Sequence, residues 1–182
     1  GKFHGSLLWA IDKTLTAMGG RCLRRWVEEP LTNIDAIKNR QKIIGLLVKS
    51  SSLRRNIRKT LQAMGDLERL SGRAGAQQAG ARDLVAIAEG INRLPIIRKY
   101  LTKPIFEETK LFDSLINLDK DLIDIASEIN NKIINNPPLS LTEGGLIYDG
   151  VTPVLDGLRN QLDDQNSWLK SQEIEERKNS NI

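Results

Sequence analysis

The sequence predicts an all-α protein, an irregular multi-helix bundle with a long C-terminal helix, and three observations predict it. Apolar residues recur every three to four positions along nearly the whole chain, and no stretch alternates apolar and polar residues long enough to make a sheet. Aromatic residues are only 4% of the 182, so the core must be Leu, Ile, Val and Ala, which suits helix-on-helix packing. Hydrophobic residues at 40% and charged residues at 27% are ordinary globular composition.

The elements follow from capping residues, prolines and spacing, and about seven or eight helices result. Thr16 is placed to cap the first firm helix, and Pro30 cannot continue it. Asn33 caps a helix running to about Lys49, with Ile34, Ile37, Ile44, Leu47 and Val48 facing inward. Serines 50–52 separate it from a helix that lines up Leu53, Ile57, Leu61 and Met64 on one side and Arg54, Arg55, Arg58 and Lys59 on the other. Asp66, Leu67, Glu68, Arg69 and Leu70 open a short helix that dissolves into Gly72, Gly75 and Gly80. A helix restarts at Arg82 or Asp83 and runs through Ala88 and Ile91, and Pro95 and Pro104 punctuate the next region.

An amphipathic helix from about residue 118 to 134 stops at Asn135, Asn136, Pro137 and Pro138, and an irregular passage containing Glu143, Gly144, Gly145 and Tyr148 comes after it. From Thr152, with Pro153 at the first helical position, a helix extends over residues 152–178. At about 1.5 Å per residue it is on the order of 40 Å long. Val154, Leu155, Leu158, Leu162, Trp168 and Leu169 serve its first two thirds, and beyond Lys170 only Ile174 is apolar. That polar tail either frays or leans on something outside this chain. The chain also begins with Gly, so both ends read as cuts in a larger protein.

Several chemistries are excluded. Cys22 and His4 are the only cysteine and histidine, which removes disulfide frameworks, Cys/His zinc sites and Ser-His-Asp or Cys-His catalysis. No P-loop GxxxxGK[ST] occurs, and the carboxylates at Asp163 and Asp164, or at Asp119, Asp121 and Asp124, are not spaced to converge on a metal or a substrate. No apolar run approaches the roughly 20 residues of a membrane span, and no signal peptide opens the chain, so a cytoplasmic location without membrane attachment is expected.

Charge is uneven. Residues 1–110 carry 21 Lys and Arg against 10 Asp and Glu, whereas residues 111–182 carry 6 against 13, within a net charge of +4. The basic part offers Arg21, Arg24 and Arg25 beside Trp26, and Arg54, Arg55 and Arg58 on one helix face. One reading is a stand-alone basic helical DNA-binding module, with the cations on phosphate and the ring on a base. The other makes the arginines ties between helices, with carboxylates such as Asp66 and Glu68 as conceivable partners. A third is a helical protein-interaction module. Trp26 shares a face with Met18 and Cys22 and reads as core rather than as a stacking platform.

The order of motifs resembles the opening of the core, or lever, domain of the MutS family of DNA mismatch-recognition ATPases. Asp12, Thr14, Thr16, Met18, Gly19, Arg21, Leu23, Trp26, Pro30 and Leu31 match its first motif, although Ala17 stands where many relatives have Pro. Arg40, then GDLERLSGR with Asp66, Glu68 and Arg69, then RDLVAI, then NNPPLSLTEGGLI with Glu143, Gly144 and Gly145, and finally LDGLRNQLDDQNSWL come in the family's order. The resemblance implies that residues 1–182 are a single helical core (lever) domain fragment, with 152–178 a lever helix leading toward a missing clamp domain. It implies a non-catalytic role relaying nucleotide state to DNA clamping. In the parent it implies ATP and magnesium in a separate C-terminal domain, a homodimer, a MutL-type partner and a place at the bacterial nucleoid. The fragment itself is then expected to hold no cofactor, to have no catalytic residue and to bind DNA weakly and without specificity.

Overall fold

Ser6, Thr16, Asn33, Asp66 and Asp119 each accept a backbone N–H in the first turn of a helix, and these five short polar side chains set where the chain begins to coil. The computed structural model describes residues 4–102 and 117–179. Among these, eight α-helices occur in order: α1 (Leu7–Ile11), α2 (Ala17–Glu28), α3 (Ile34–Lys49), α4 (Ser51–Gln62), α5 (Leu67–Gly75), α6 (Ala81–Leu101), α7 (Lys120–Lys132) and α8 (Pro153–Asn179). A single antiparallel bridge, Ile133 to Ile147, is the only β pairing among the described residues. The all-α expectation holds.

α6 is the central helix and packs against α4, α5 and α7. Toward its C-terminal end Ile97 and Leu101 join Leu53 and Met64 in one buried cluster, flanked by Met18, Leu46, Leu47, Ile57 and Leu61. Toward its N-terminal end Ala88 and Ile91 meet Ala126 of α7 in a second cluster. Leu94 packs against both, so the two clusters are one continuous core along one helix. The α6–α5 contact requires Gly90: a Cβ there would lie 2.5 Å from Leu67 Cδ2 and 3.1 Å from the Met64 carbonyl oxygen.

Four expectations are corrected. Pro95 does not punctuate; α6 runs through it to Leu101, because the buried side chains on either side of it hold a helix that lacks one backbone donor. Pro104 lies outside the described residues. α5 likewise continues across Gly72 to Gly75, secured by its Asp66 cap. In α3 the buried residue is Ile43, whereas Ile34, Ile44 and Val48 are 65%, 50% and 64% exposed. The inward face is turned toward Ile43, Leu46 and Leu47, because Leu46 and Leu47 pack on the cluster that holds Leu53 of α4 and Ile97 and Leu101 of α6.

The fourth correction concerns α8. Val154, Leu158, Leu162, Trp168, Leu169 and Ile174 are all more than half exposed, so the apolar positions expected to pack its first two thirds are uncovered. The helix has the expected length, 27 residues, and Leu155 is the half-buried side chain near its base.

Candidate functional site

The Thr16 hydroxyl accepts the Gly19 N–H at 3.0 Å, and a Cβ on Gly19 would sit only 3.0 Å from that same oxygen. Gly19 therefore lets the cap close against the first turn of α2. Just upstream, Asp12 accepts both the backbone N–H and the hydroxyl of Thr14, at 2.9 and 2.7 Å, and the Thr14 amide chiefly holds its carboxyl below the usual range. Met18, in the first turn of α2, packs on the core. These contacts fix the register with which α2 presents Arg21.

Arg21 reaches across 45 residues of sequence to Asp66. Its two terminal nitrogens meet the two carboxylate oxygens at 3.0 and 2.6 Å, a parallel fork. Nε and Nη2 also donate to one oxygen of Glu68, at 2.9 and 2.7 Å. Asp66 at the same time caps α5 by accepting the Arg69 N–H, and the Arg69 side chain stands 3.7 Å away. Hydrogen bonds from Arg21, then its own partial desolvation opposing them, leave the Asp66 carboxyl below its ordinary value, and the same contacts hold Arg21 more firmly protonated. One guanidinium thus joins α2 to the start of α5.

Trp26 is not core. It is 43% exposed, and the Arg40 guanidinium of α3 lies over its ring with 3.6 Å between the guanidinium carbon and the centroid. The reading from spacing fails because only the start of α2, at Met18, reaches the core, whereas Trp26, about two turns further on, meets Arg40 of α3 instead. Arg24 stands 3.9 Å from Glu28 on the exposed face, and Arg25 is exposed in the last turn.

The other basic helix is also drawn inward. Arg54 donates to the carbonyls of Leu47 and Val48 at 2.8 and 3.0 Å, closing the C-terminus of α3, and Arg58 donates to the Lys13 carbonyl at 3.2 and 3.3 Å. Of the six arginines proposed for phosphate, Arg21, Arg54 and Arg58 are engaged by their own chain. Arg55 stays exposed.

Glu143 lies apart from the Arg21 group. Its carboxylate accepts the Ser140 N–H at 3.1 Å while Ser140 receives the Thr142 N–H, so the two clasp a single 3-10 turn. Gly144 (φ 70°, ψ −167°) and Gly145 (φ 67°) then turn the chain through conformations that favour glycine. That turn sends Leu146 back to receive the Ile134 N–H at 3.0 Å and Tyr148 to donate to the Lys132 carbonyl at 3.0 Å.

The base of α8 is fastened to this hairpin-like passage by residues that spacing does not single out. Arg159 pairs with Asp149 at 2.5 Å and donates to the Ile147 carbonyl at 2.9 Å; Asp156 accepts the Gly150 N–H at 3.0 Å. Arg82, at the start of α6, donates to the Pro137 carbonyl at 2.8 Å. A polar chain therefore runs from α6 through the end of α7 to α8. The signal for it was an Arg among short polar residues, indistinguishable in sequence from a solvated one.

No group of three or more His, Cys, Asp or Glu among the described residues is placed to hold a metal ion, and no described helix is long and apolar enough to cross a membrane. The sequence profile of MutS domain III matches residues 1–180. The chain belongs to the MutS domain III family. The DNA mismatch repair protein MutS of Prochlorococcus marinus strain NATL1A is 83% identical over all 182 residues, and that of strain NATL2A is 80% identical over the same span. The protein of the same name from strain MIT 9303 is 58% identical over 178 residues. The first two relatives are covered over 20% of their length and the third over 19%, so this MutS domain III spans about a fifth of the curated relatives it matches.

Proposed function

We propose that this domain is the mechanical core of a longer mismatch repair protein of the MutS type, without chemistry of its own. It couples nucleotide state in one part of that protein to the grip on DNA in another. α8 is the lever, and residues 1–182 form one helical unit ending toward a clamp. The observation that carries this reading is the combination of a helix of about 40 Å with a polar clasp at its base and an uncovered apolar face along its length. A helix moves as a rod, so a small rotation at Arg159 becomes a larger displacement at its tip.

In the whole protein we place ATP and magnesium in a separate domain, expect a homodimer working with a MutL-type partner at the nucleoid, and assign Arg21, Asp66, Glu68, Arg69, Trp26, Arg40 and Glu143 to holding the core's geometry. A stand-alone basic DNA-binding module has less support, because Arg21, Arg54 and Arg58 are engaged internally. Residual DNA binding by this domain is expected to be weak, steeply salt-dependent and equal for matched and mismatched duplex.

The test is to insert two glycines after Asn166, within α8, in the whole protein. ATP hydrolysis and DNA binding should each persist, while nucleotide-triggered release of mismatched DNA should slow by about tenfold or more. Unchanged release would overturn the lever.

A further inference from the structure

α3 carries a second apolar stripe that the core does not use. At 100° per residue, Ile34, Ile37, Gln41, Ile44 and Val48 fall on one face, spaced three and four apart, on the side away from Ile43. Ile34, Ile44 and Val48 are half to two-thirds exposed. Gly45 lies on the same face in the middle of the helix, and a Cβ built there meets nothing within 4 Å. A mid-helix glycine costs on the order of 1 kcal/mol relative to alanine, and at Gly90 the reason is a neighbour within contact distance. At Gly45 no such neighbour is present among the described residues.

Both edges of the stripe carry positive charge. Lys38 and Lys49 are exposed along one edge. Along the other stands Arg40, one turn from both Ile37 and Ile44 and stacked on the exposed Trp26, the pairing of residue types that anchors protein interfaces. We infer that the outer face of α3 is a docking surface for an amphipathic helix with carboxylates along its flanks, supplied by another part of the same longer polypeptide. The carboxylates match the lysine edge and Arg40; the flat gap at Gly45 admits the partner's backbone closely. The remaining four fifths of the related proteins provide ample chain to supply such a helix. This rests on the reading that the chain is one part of a longer protein, but not on the lever motion, which the α8 insertion tests separately.

The experiment uses the whole protein with Cys22→Ser and Ile44→Cys. Maleimide should label position 44 at least about fiftyfold more slowly in the folded protein than in urea. A photo-crosslinking benzoylphenylalanine in place of Val48 should give an adduct, located by mass spectrometry, within a carboxylate-flanked helix of the same polypeptide. Gly45→Leu should raise the labelling rate at position 44 by restoring access. Labelling as fast as in urea, an adduct to a second copy or to another protein, an adduct to a segment without flanking carboxylates, or a Gly45→Leu protein that remains fully protected would each overturn the assignment.

Discussion

The body formed by α4, α5, α6 and α7 and the long helix α8 contain the same kinds of residue and use them in opposite ways. In the body, Leu53, Met64, Ile97 and Leu101 are each about 95% buried, and a glycine is required where two helices meet. In α8, Leu158, Leu162 and Leu169 have comparable side chains and more than half of each faces solvent. Leucine content therefore does not distinguish a core helix from an arm; the presence of a neighbour does. Among the described residues the buried core lies in the body, and the base of α8 is held by the polar contacts of Asp156 and Arg159 beside the half-buried Leu155.

That contrast can be broken most directly at the core. Leu53→Ala should lower the unfolding free energy by about 2–5 kcal/mol, since it empties a site closed by α4 and α6, and urea denaturation would measure it. Gly90→Ala comes next: Leu67 and the Met64 carbonyl must shift to admit a methyl group, at a cost of about 1–3 kcal/mol on the same assay.

The Arg21 fork should register more mildly, as a fall of a few degrees in Tm for Arg21→Ala, with Arg21→Lys recovering only part because an ammonium cannot make the parallel pair. It also carries a pH signature. The Asp66 carboxyl lies below 3.8 in the folded chain, so the folded state binds its proton more weakly than the unfolded one. Its contribution is complete above that ordinary value and is lost as pH falls through the lower folded value. Asp66→Asn should flatten this part of the acid limb of Tm against pH. The smallest effect is expected in the arm: Leu162→Ala in this chain should change stability by less than about 0.5 kcal/mol. A loss matching that of Leu53→Ala would show that α8 is packed and would remove the contrast.

Helix starts were legible because capping is local. Thr16, Asn33 and Asp66 each bond an amide three residues ahead, so the information lies within one turn. The face each helix buries was less legible. α3 has apolar residues on two sides, and nothing in its own sequence says that Ile43 rather than Ile44 is the buried one. Trp26 is misleading for the same reason: its spacing from Met18 is a core spacing, and only the position of Arg40 on α3 shows the ring standing at the edge. Arg159 and Arg82 do not stand out in the sequence because an arginine that bonds a distant carbonyl has no local mark.

By itself the sequence determined the helical class, the caps, the long α8 with its proline start and the family, because all of these are written in spacing of a few residues or in a motif order along the chain. The tertiary structure alone decided that Arg21 meets Asp66 and Glu68 and that α6 passes through Pro95. It alone decided that, among the described residues, the outer face of α3 and the apolar face of α8 are left uncovered. Those outcomes depend on which segments, tens of residues apart, come to lie within a few ångströms, and short-range pattern does not encode that distance.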